Sequence, residues 1–226
     1  IRAACIGIDA DNPEALYQAL RSIDVTDDWS QLGGNVTTAF TIAAWLAVAD
    51  SQNRAPWRVI ADWTGSSPSL PVPMVNIVSG GAHAARAVDI QDVLVAPVSA
   101  TTVEEAIENV WKVRKGASQV MNEHGFASAL VADEGGLAGD FANSEFALKV
   151  VVDGIHKAGL ALGADAALAL DIAANQFHSS GSQYVFEGHT LASSELIEIF
   201  LGWARKWPIA SVEDPLAEDD DWSIAA

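Results

Sequence analysis

From residue 74 onwards, short apolar segments alternate with longer amphipathic ones, and this alternation restricts the fold more than any other feature. Five segments have the length and composition of buried strands: MVNIVSGG, DVLVAPVS, SALVADEGG, AALALDIAA and IASVEDP. Three segments between them have helical periodicity: TTVEEAIENVWKVRKGASQVMNEHG, SEFALKVVVDGIHKAG and ASSELIEIFLGWARKW. Strands that alternate with helices predict an α/β fold with a mostly parallel sheet, either open or closed into a barrel.

Residues 11 to 50 have a different pattern, which predicts two helices separated by the polar turn DVTDDWSQLGG. The segment NPEALYQALRSI places Leu16, Leu20 and Ile23 on one face, and the almost wholly apolar segment NVTTAFTIAAWLAVAD predicts a buried helix. The stretch TGSSPSLPVP then interrupts regular structure, because proline fixes φ and has no backbone N–H. We therefore expect a helical region at 1–68 and a strand–helix domain at 69–226.

Composition limits the classes of partner. The chain has 226 residues, half of them hydrophobic, but no apolar run is long enough to span a bilayer. Its net charge of −18 argues against nucleic acid and anionic membranes as partners, because both attract basic surfaces. The single cysteine, Cys5, fits a reducing compartment. We expect a cytoplasmic protein that does not insert into membranes.

Acidic side chains follow three of the predicted strands. Asp133 and Glu134 follow ALVA, Asp171 follows ALAL, and Glu213 with Asp214 follows IASV. The strand ends of a βα barrel surround one mouth, so we expect Glu134, Asp171 and Glu213 to share one cavity. Helix capping or solvation would explain any one of these acids alone. The three together favour a bound cation, and oxygen ligands favour Mg²⁺ over Zn²⁺.

Several of these segments resemble, in order and spacing, the signature segments of the enolase family: LPVPMVNIVSGGAHA, VDIQDVLVAPV, VADEGGLA, ALDIAANQF and PIASVEDPLAEDDDW. The resemblance implies the first half of an enolase-type βα barrel, whose first strands are irregular in direction, preceded by the helical part of a smaller N-terminal α+β domain. It also implies Mg²⁺, a homodimer and a small phosphorylated acid as substrate. The implied reaction is the reversible dehydration of 2-phosphoglycerate to phosphoenolpyruvate.

The resemblance implies roles for individual side chains. Asp171 and Glu213 match two of the metal-binding carboxylates, and Glu213 is also expected in the substrate site. Glu134 matches the acid that assists departure of the 3-hydroxyl group. His83 and Gln91 match substrate-site residues.

Two further positions depart from the family pattern. Asp92 stands in the substrate site where the family has a glutamate that supports the catalytic acid, and Gln176 stands where the family usually has glutamate. The implied lysine base and third metal carboxylate would follow Ala226, so we expect the chain to be a fragment of a longer protein. Two alternatives stay open. One is a paralogue acting on a related phosphoenolpyruvate-like or phosphonate substrate, and the other is a non-catalytic binding or scaffold protein with the same fold.

Overall fold

A computed structural model describes residues 1–225, which divide into two compact units, Ile1–Leu70 and the residues from Pro71 onwards. The first unit contains the helices α1 (Arg2–Cys5), α2 (Pro13–Ile23), α3 (Gly34–Ser51) and α4 (Pro56–Thr64). The second contains the helices α5 (Val103–Glu123), α6 (Ser144–Lys157) and α7 (Ser193–Lys206). Its strands are β1 (Val75–Ser79), β2 (Asp92–Ala96), β3 (Ala167–Asp171), β4 (His178–Ser180), β5 (Gln183–Phe186), β6 (His189–Ala192) and β7 (Ile209–Glu213).

The first unit is helical, as its sequence pattern predicts. Helix α2 begins at Pro13, and the Oδ1 atom of Asn12 caps it by accepting a hydrogen bond from the backbone N–H of Ala15 at 3.0 Å. Helix α4 ends at Gly65, whose φ of 68° lies in the left-handed region that glycine adopts at low cost. Among the described residues of this unit there is no strand.

Helix α3 is much less buried than its apolar sequence predicts. Its buried residues are Val48 and Ala49, which pack with Val59 of α4. Ile42 and Leu46 are 53% and 50% exposed. The prediction of a buried helix is therefore wrong for the structure described here. The physical reason is that α3 is apolar on every side, whereas its neighbours in this small unit cover only one side of it.

The main sheet of the second unit has the strand order β1-β2-β3-β7. Strands β1, β2 and β3 are successively antiparallel, and only β3 and β7 are parallel. The prediction of a mostly parallel sheet is therefore wrong for its first strands. A loop without an α-helix joins β1 to β2, and two consecutive helices, rather than one, join β2 to β3. Each connection reverses the direction of the chain.

The predicted strand SALVADEGG is not a strand. Residues Asp133–Gly135 form a 3₁₀ turn, and the flanking residues make only isolated bridges, such as Val131 with Leu137. Glu134 and Gly135 have φ values of 63° and 85°, which are incompatible with an extended strand. Helix α5 is consequently followed by α6 with no strand between them in the sheet.

The core of the second unit lies between the main sheet and the helices. Strand residues such as Val93, Val95, Leu168 and Leu170 are buried in one cluster with apolar residues of α5, α6 and α7. Strands β4, β5 and β6 form a separate antiparallel sheet. Among the described residues, no helix has the length and apolar character that a membrane crossing requires.

Candidate active site

Three carboxylates stand in a row across one end of the main sheet. Asp92 is the first residue of β2 and pairs in register with Asp171, the last residue of β3. Asp171 pairs in register with Glu213, the last residue of β7. Because β2 runs against its neighbours, its beginning lies beside their ends. The sheet therefore places Asp92, Asp171 and Glu213 next to one another. That Glu134, Asp171 and Glu213 share one cavity stays a prediction.

Burial decreases along this row, and the charges within it repel one another. Asp92 is 3% exposed, Asp171 is partly buried and Glu213 is exposed. Burial raises the pKa of Asp171; a hydrogen bond from Gln91 opposes this, and the neighbouring Glu213, Asp92 and Asp214 add to the increase. Gln91 donates this bond from Nε2 to Asp171 Oδ2 at 2.8 Å.

Asp92 has polar neighbours on both of its oxygens. The amide of Asn76 donates from Nδ2 to Asp92 Oδ1 and to Ser79 Oγ, the latter at 2.8 Å. The His83 ring places Nδ1 3.2 Å from Asp92 Oδ2. Burial raises the pKa of Asp92. Hydrogen bonds with Ser79 and Asn76 and the charge of His83 oppose that increase, and the negative charge of Glu134 adds to it. Asn76 is a polar residue within the otherwise apolar segment VNIV, and this is the sequence signal that could have indicated the contact.

Glu134 reaches the site from a turn and not from a strand end. It forms a group with His83 and Asp92 in which one ligand atom from each residue lies within 4.8 Å of the others. Arg114 supports the turn, because its Nη2 donates to the backbone oxygen of Gly135 at 2.9 Å. The predicted location of Glu134 after a strand is therefore wrong. Asp92 therefore belongs to two sets of side chains: the row with Asp171 and Glu213, and the group with His83 and Glu134.

The acidic segment after β7 is held mainly by hydroxyl groups. Asp220 accepts hydrogen bonds from Tyr184 at 2.6 Å, Ser193 at 2.5 Å and Ser182 at 3.0 Å. Burial would raise the pKa of Asp220, but the bonds from Ser193 and Tyr184 outweigh it and lower that pKa to about 2. Asp220 therefore ties the segment that follows Glu213 to the small sheet and to the start of α7.

Two sets of side chains could contribute to a cation site. Asp171 and Glu213 offer carboxylate oxygens only, which is the donor type that Mg²⁺ prefers. Among the described residues, the group whose ligand atoms lie close enough together to hold one ion is His83, Asp92 and Glu134, and it does not include Asp171 or Glu213. Within residues 1–225, no lysine or arginine lies at ion-pair distance from these carboxylates, and His83 is the one basic partner found, beside Asp92. Asp171 and Glu213 are therefore adjacent carboxylates with no basic partner among the described residues. A bound cation would balance their negative charge.

The comparison with known families agrees with this architecture. The model of the family described as enolase, C-terminal TIM barrel domain, matches residues 67–226. This range is well over half of the chain and includes every predicted site residue. The chain therefore belongs to the enolase family.

Proposed function

We propose that this chain is part of a Mg²⁺-dependent carbon–oxygen lyase that reversibly dehydrates 2-phosphoglycerate to phosphoenolpyruvate. The observation that carries the proposal is the row of Asp92, Asp171 and Glu213, with Glu134 within reach of Asp92. Family membership supports an enzyme of the enolase superfamily. The particular substrate is inferred from the motifs around these residues.

Asp171 and Glu213 would hold the metal at the strand ends. Mg²⁺ supplies positive charge where negative charge develops on the substrate carboxylate during loss of the weakly acidic C2 proton. Gln91 keeps one Asp171 oxygen engaged through its hydrogen bond, so the other oxygen is available as a ligand. Glu213 is exposed at the edge strand β7, where it can contact both metal and substrate.

Glu134 would act as the acid for the leaving group. Its side chain is exposed on a turn, close to the His83–Asp92 pair. In the dehydration direction, the bond between C3 and the hydroxyl oxygen breaks, Glu134 gives its proton to that oxygen, and water leaves. The family resemblance implies a lysine base that would take the C2 proton. Asp92 holds Nδ1 of His83 and leaves Nε2 for the substrate.

Further features of the whole protein are inferred in the same way. We infer a homodimer in the cytoplasm, in which residues 1–68 belong to the N-terminal domain and residues 69–226 form the first part of the barrel domain. Family membership supports the homodimer and the domain assignment, and the single cysteine, Cys5, supports a reducing compartment.

The test is an assay of 2-phosphoglycerate dehydration, followed by ultraviolet absorbance, with the natural full-length chain. We expect activity with Mg²⁺ and none after chelation. Replacement Glu134→Gln should reduce turnover by about 10²–10⁴-fold, because the positioned proton is lost. Glu198→Gln is the control, since Glu198 is an exposed residue of α7 whose side chain pairs with Arg205. Full activity after chelation or in Glu134→Gln would contradict the proposal.

The second candidate is a paralogue that acts on a related phosphoenolpyruvate-like or phosphonate substrate. The substitution that favours it is Asp92, which is one methylene shorter than glutamate and leaves more room beside His83. The same assay discriminates, because such an enzyme would need Mg²⁺ and Glu134 but would turn over 2-phosphoglycerate poorly.

A further inference from the structure

Three consecutive hydrogen bonds link the loop between β1 and β2 to the carboxylate of Asp171. The backbone N–H of Ala82 donates to Gln176 Oε1 at 2.8 Å. Gln176 then donates from Nε2 to Gln91 Oε1. Gln91 in turn donates from Nε2 to Asp171 Oδ2 at 2.8 Å. Each of the three bonds joins residues separated by 80 or more positions in the sequence, so the fold brings their partners together.

The residues at the two ends of this series of hydrogen bonds determine which group donates and which accepts in each bond. A backbone N–H can only donate, so Gln176 must present its oxygen to Ala82. Its NH₂ group therefore faces Gln91, which must present oxygen to Gln176 and NH₂ to Asp171. An ionised carboxylate only accepts, so Asp171 is a suitable last member. The orientation of both amides thus follows from Ala82 and Asp171, although the two ends of an amide are nearly isosteric.

The loop is shaped closely around Gln176. A Cβ atom on Gly81 would lie 2.7 Å from Gln176 Oε1 and 3.0 Å from Gln91 Cα, and Gly81 also has a positive φ of 46°. Arg86 adds a second contact by donating from Nη2 to the backbone oxygen of Gln176 at 3.3 Å. Only glycine at position 81 lets the loop approach this closely.

We propose that Gln176 is a positioning residue, which orients the amide of Gln91 and thereby holds one oxygen of Asp171 while the other is presented to a cation. This inference rests on the proposed function, in which Asp171 is a Mg²⁺ ligand. A carboxylate in place of Gln176 could not perform this role. Its two oxygens would accept hydrogen bonds from the N–H of Ala82 and from the NH₂ group of Gln91. The Gln91 amide would then be reversed, with its oxygen facing the carboxylate of Asp171.

The first test measures Mg²⁺ binding by calorimetry in the natural full-length chain, without substrate. The variants are Gln176→Met, Gln91→Met and the double variant, since methionine has similar length but no amide. We expect each single replacement to weaken Mg²⁺ binding about 10-fold, as is typical when a partner that orients a metal ligand is removed. The double variant should bind no more weakly than Gln91→Met, because Gln176 acts through Gln91. Wild-type affinity in Gln176→Met, or two effects that multiply, would overturn the inference.

The second test requires no metal. Hydrogen exchange of the Gln91 side-chain amide, followed by NMR of the metal-free protein, should accelerate at least about threefold in Gln176→Met, because the orienting bond to the Gln91 oxygen is lost. The control Gln183→Met replaces an exposed glutamine of β5 and should change neither exchange nor Mg²⁺ affinity. Unchanged exchange in Gln176→Met, or an equal effect in Gln183→Met, would refute the positioning role.

The two tests separate the two proposals. A wild-type protein that binds no Mg²⁺ contradicts the proposed function and removes the metal part of this inference, while the exchange experiment still decides whether Gln176 orients Gln91. Wild-type Mg²⁺ binding together with unchanged exchange contradicts this inference alone. Where Gln176→Met does not fold, as judged by thermal unfolding, Gln176→Leu is measured in its place.

Discussion

Asp92 is the most buried carboxylate of the candidate site, and its burial has a thermodynamic consequence. Its pKa in the folded protein lies above the ordinary value of 3.8, with desolvation as the largest cause. Between the unfolded and folded pKa values, the native state binds more protons than the unfolded chain. The contribution of Asp92 to stability therefore decreases as the pH rises through this window.

Replacement Asp92→Asn should remove this pH dependence. In the presence of chelator we expect the variant to unfold at higher urea concentration than the wild type near pH 7, because an ionised carboxylate is no longer buried. The difference should shrink as the pH falls through the folded pKa and below the ordinary value of 3.8, where Asp92 binds its proton in both states. Urea denaturation over this pH range measures the effect, with the exposed Asp140→Asn as control. A difference that does not vary with pH would contradict this account.

At the scale of elements, the contact between α5 and α6 depends on two glycines. A Cβ atom on Gly116 would lie 2.4 Å from the backbone oxygen of Gly154, and a Cβ atom on Gly154 would lie 2.7 Å from the backbone nitrogen of Ala117. Backbone atoms cannot move aside as a flexible side chain can. These two helices form the connection that reverses the chain between β2 and β3, the strands that carry Asp92 and Asp171.

Gly116→Ala should therefore destabilise the protein although alanine favours helices. We expect a loss of about 1–3 kcal/mol in the free energy of unfolding, which is typical of overpacking. The matched control is Gly202→Ala in α7, where a Cβ atom would meet nothing within 4 Å. That replacement should stabilise by roughly 0.5–1 kcal/mol, because glycine is unfavourable within a helix. Equal effects of the two replacements in chemical denaturation would show that the helix contact is not tight.

At the scale of the whole molecule, the chain consists of two compact units joined by a proline-rich segment. Residues 66–72 are exposed and lie outside helices and strands. Such segments are preferred sites of proteolytic cleavage, because a protease must bind extended and accessible backbone.

Limited digestion with a protease of broad specificity should therefore cut first within residues 66–72. Mass spectrometry should then detect a resistant product that begins near Pro71, because the second unit has its own buried core. Cleavage first within the loop between β1 and β2 would instead show that the Gly81 region opens more readily than the segment between the units. That result would contradict the tight packing of Gly81 around Gln176.

The sequence alone determined the features that depend on local chemistry. Apolar periodicity predicted the helices α2, α3, α5, α6 and α7 and the strands β1, β2, β3 and β7, and the motifs identified the family that the comparison confirms. Only the family resemblance implied that the first strands are irregular in direction. Apolar composition could not supply the direction of β2, because antiparallel and parallel strands can have the same apolar composition. Nor could it show that Glu134 lies on a turn, since VADEGG begins with residues that are equally suited to a strand.

Only the tertiary structure decided which polar groups meet. Asp92 joins Asp171 and Glu213 because β2 runs against its neighbours, and strand direction depends on the whole connection through α5 and α6. Gln176 contacts Gln91 across 85 residues of sequence, and no local pattern encodes such a distance. The sequence thus determined which chemistry is available at the sheet end. Packing between distant segments determined how these side chains are oriented, because hydrogen bonds act only over short distances in space.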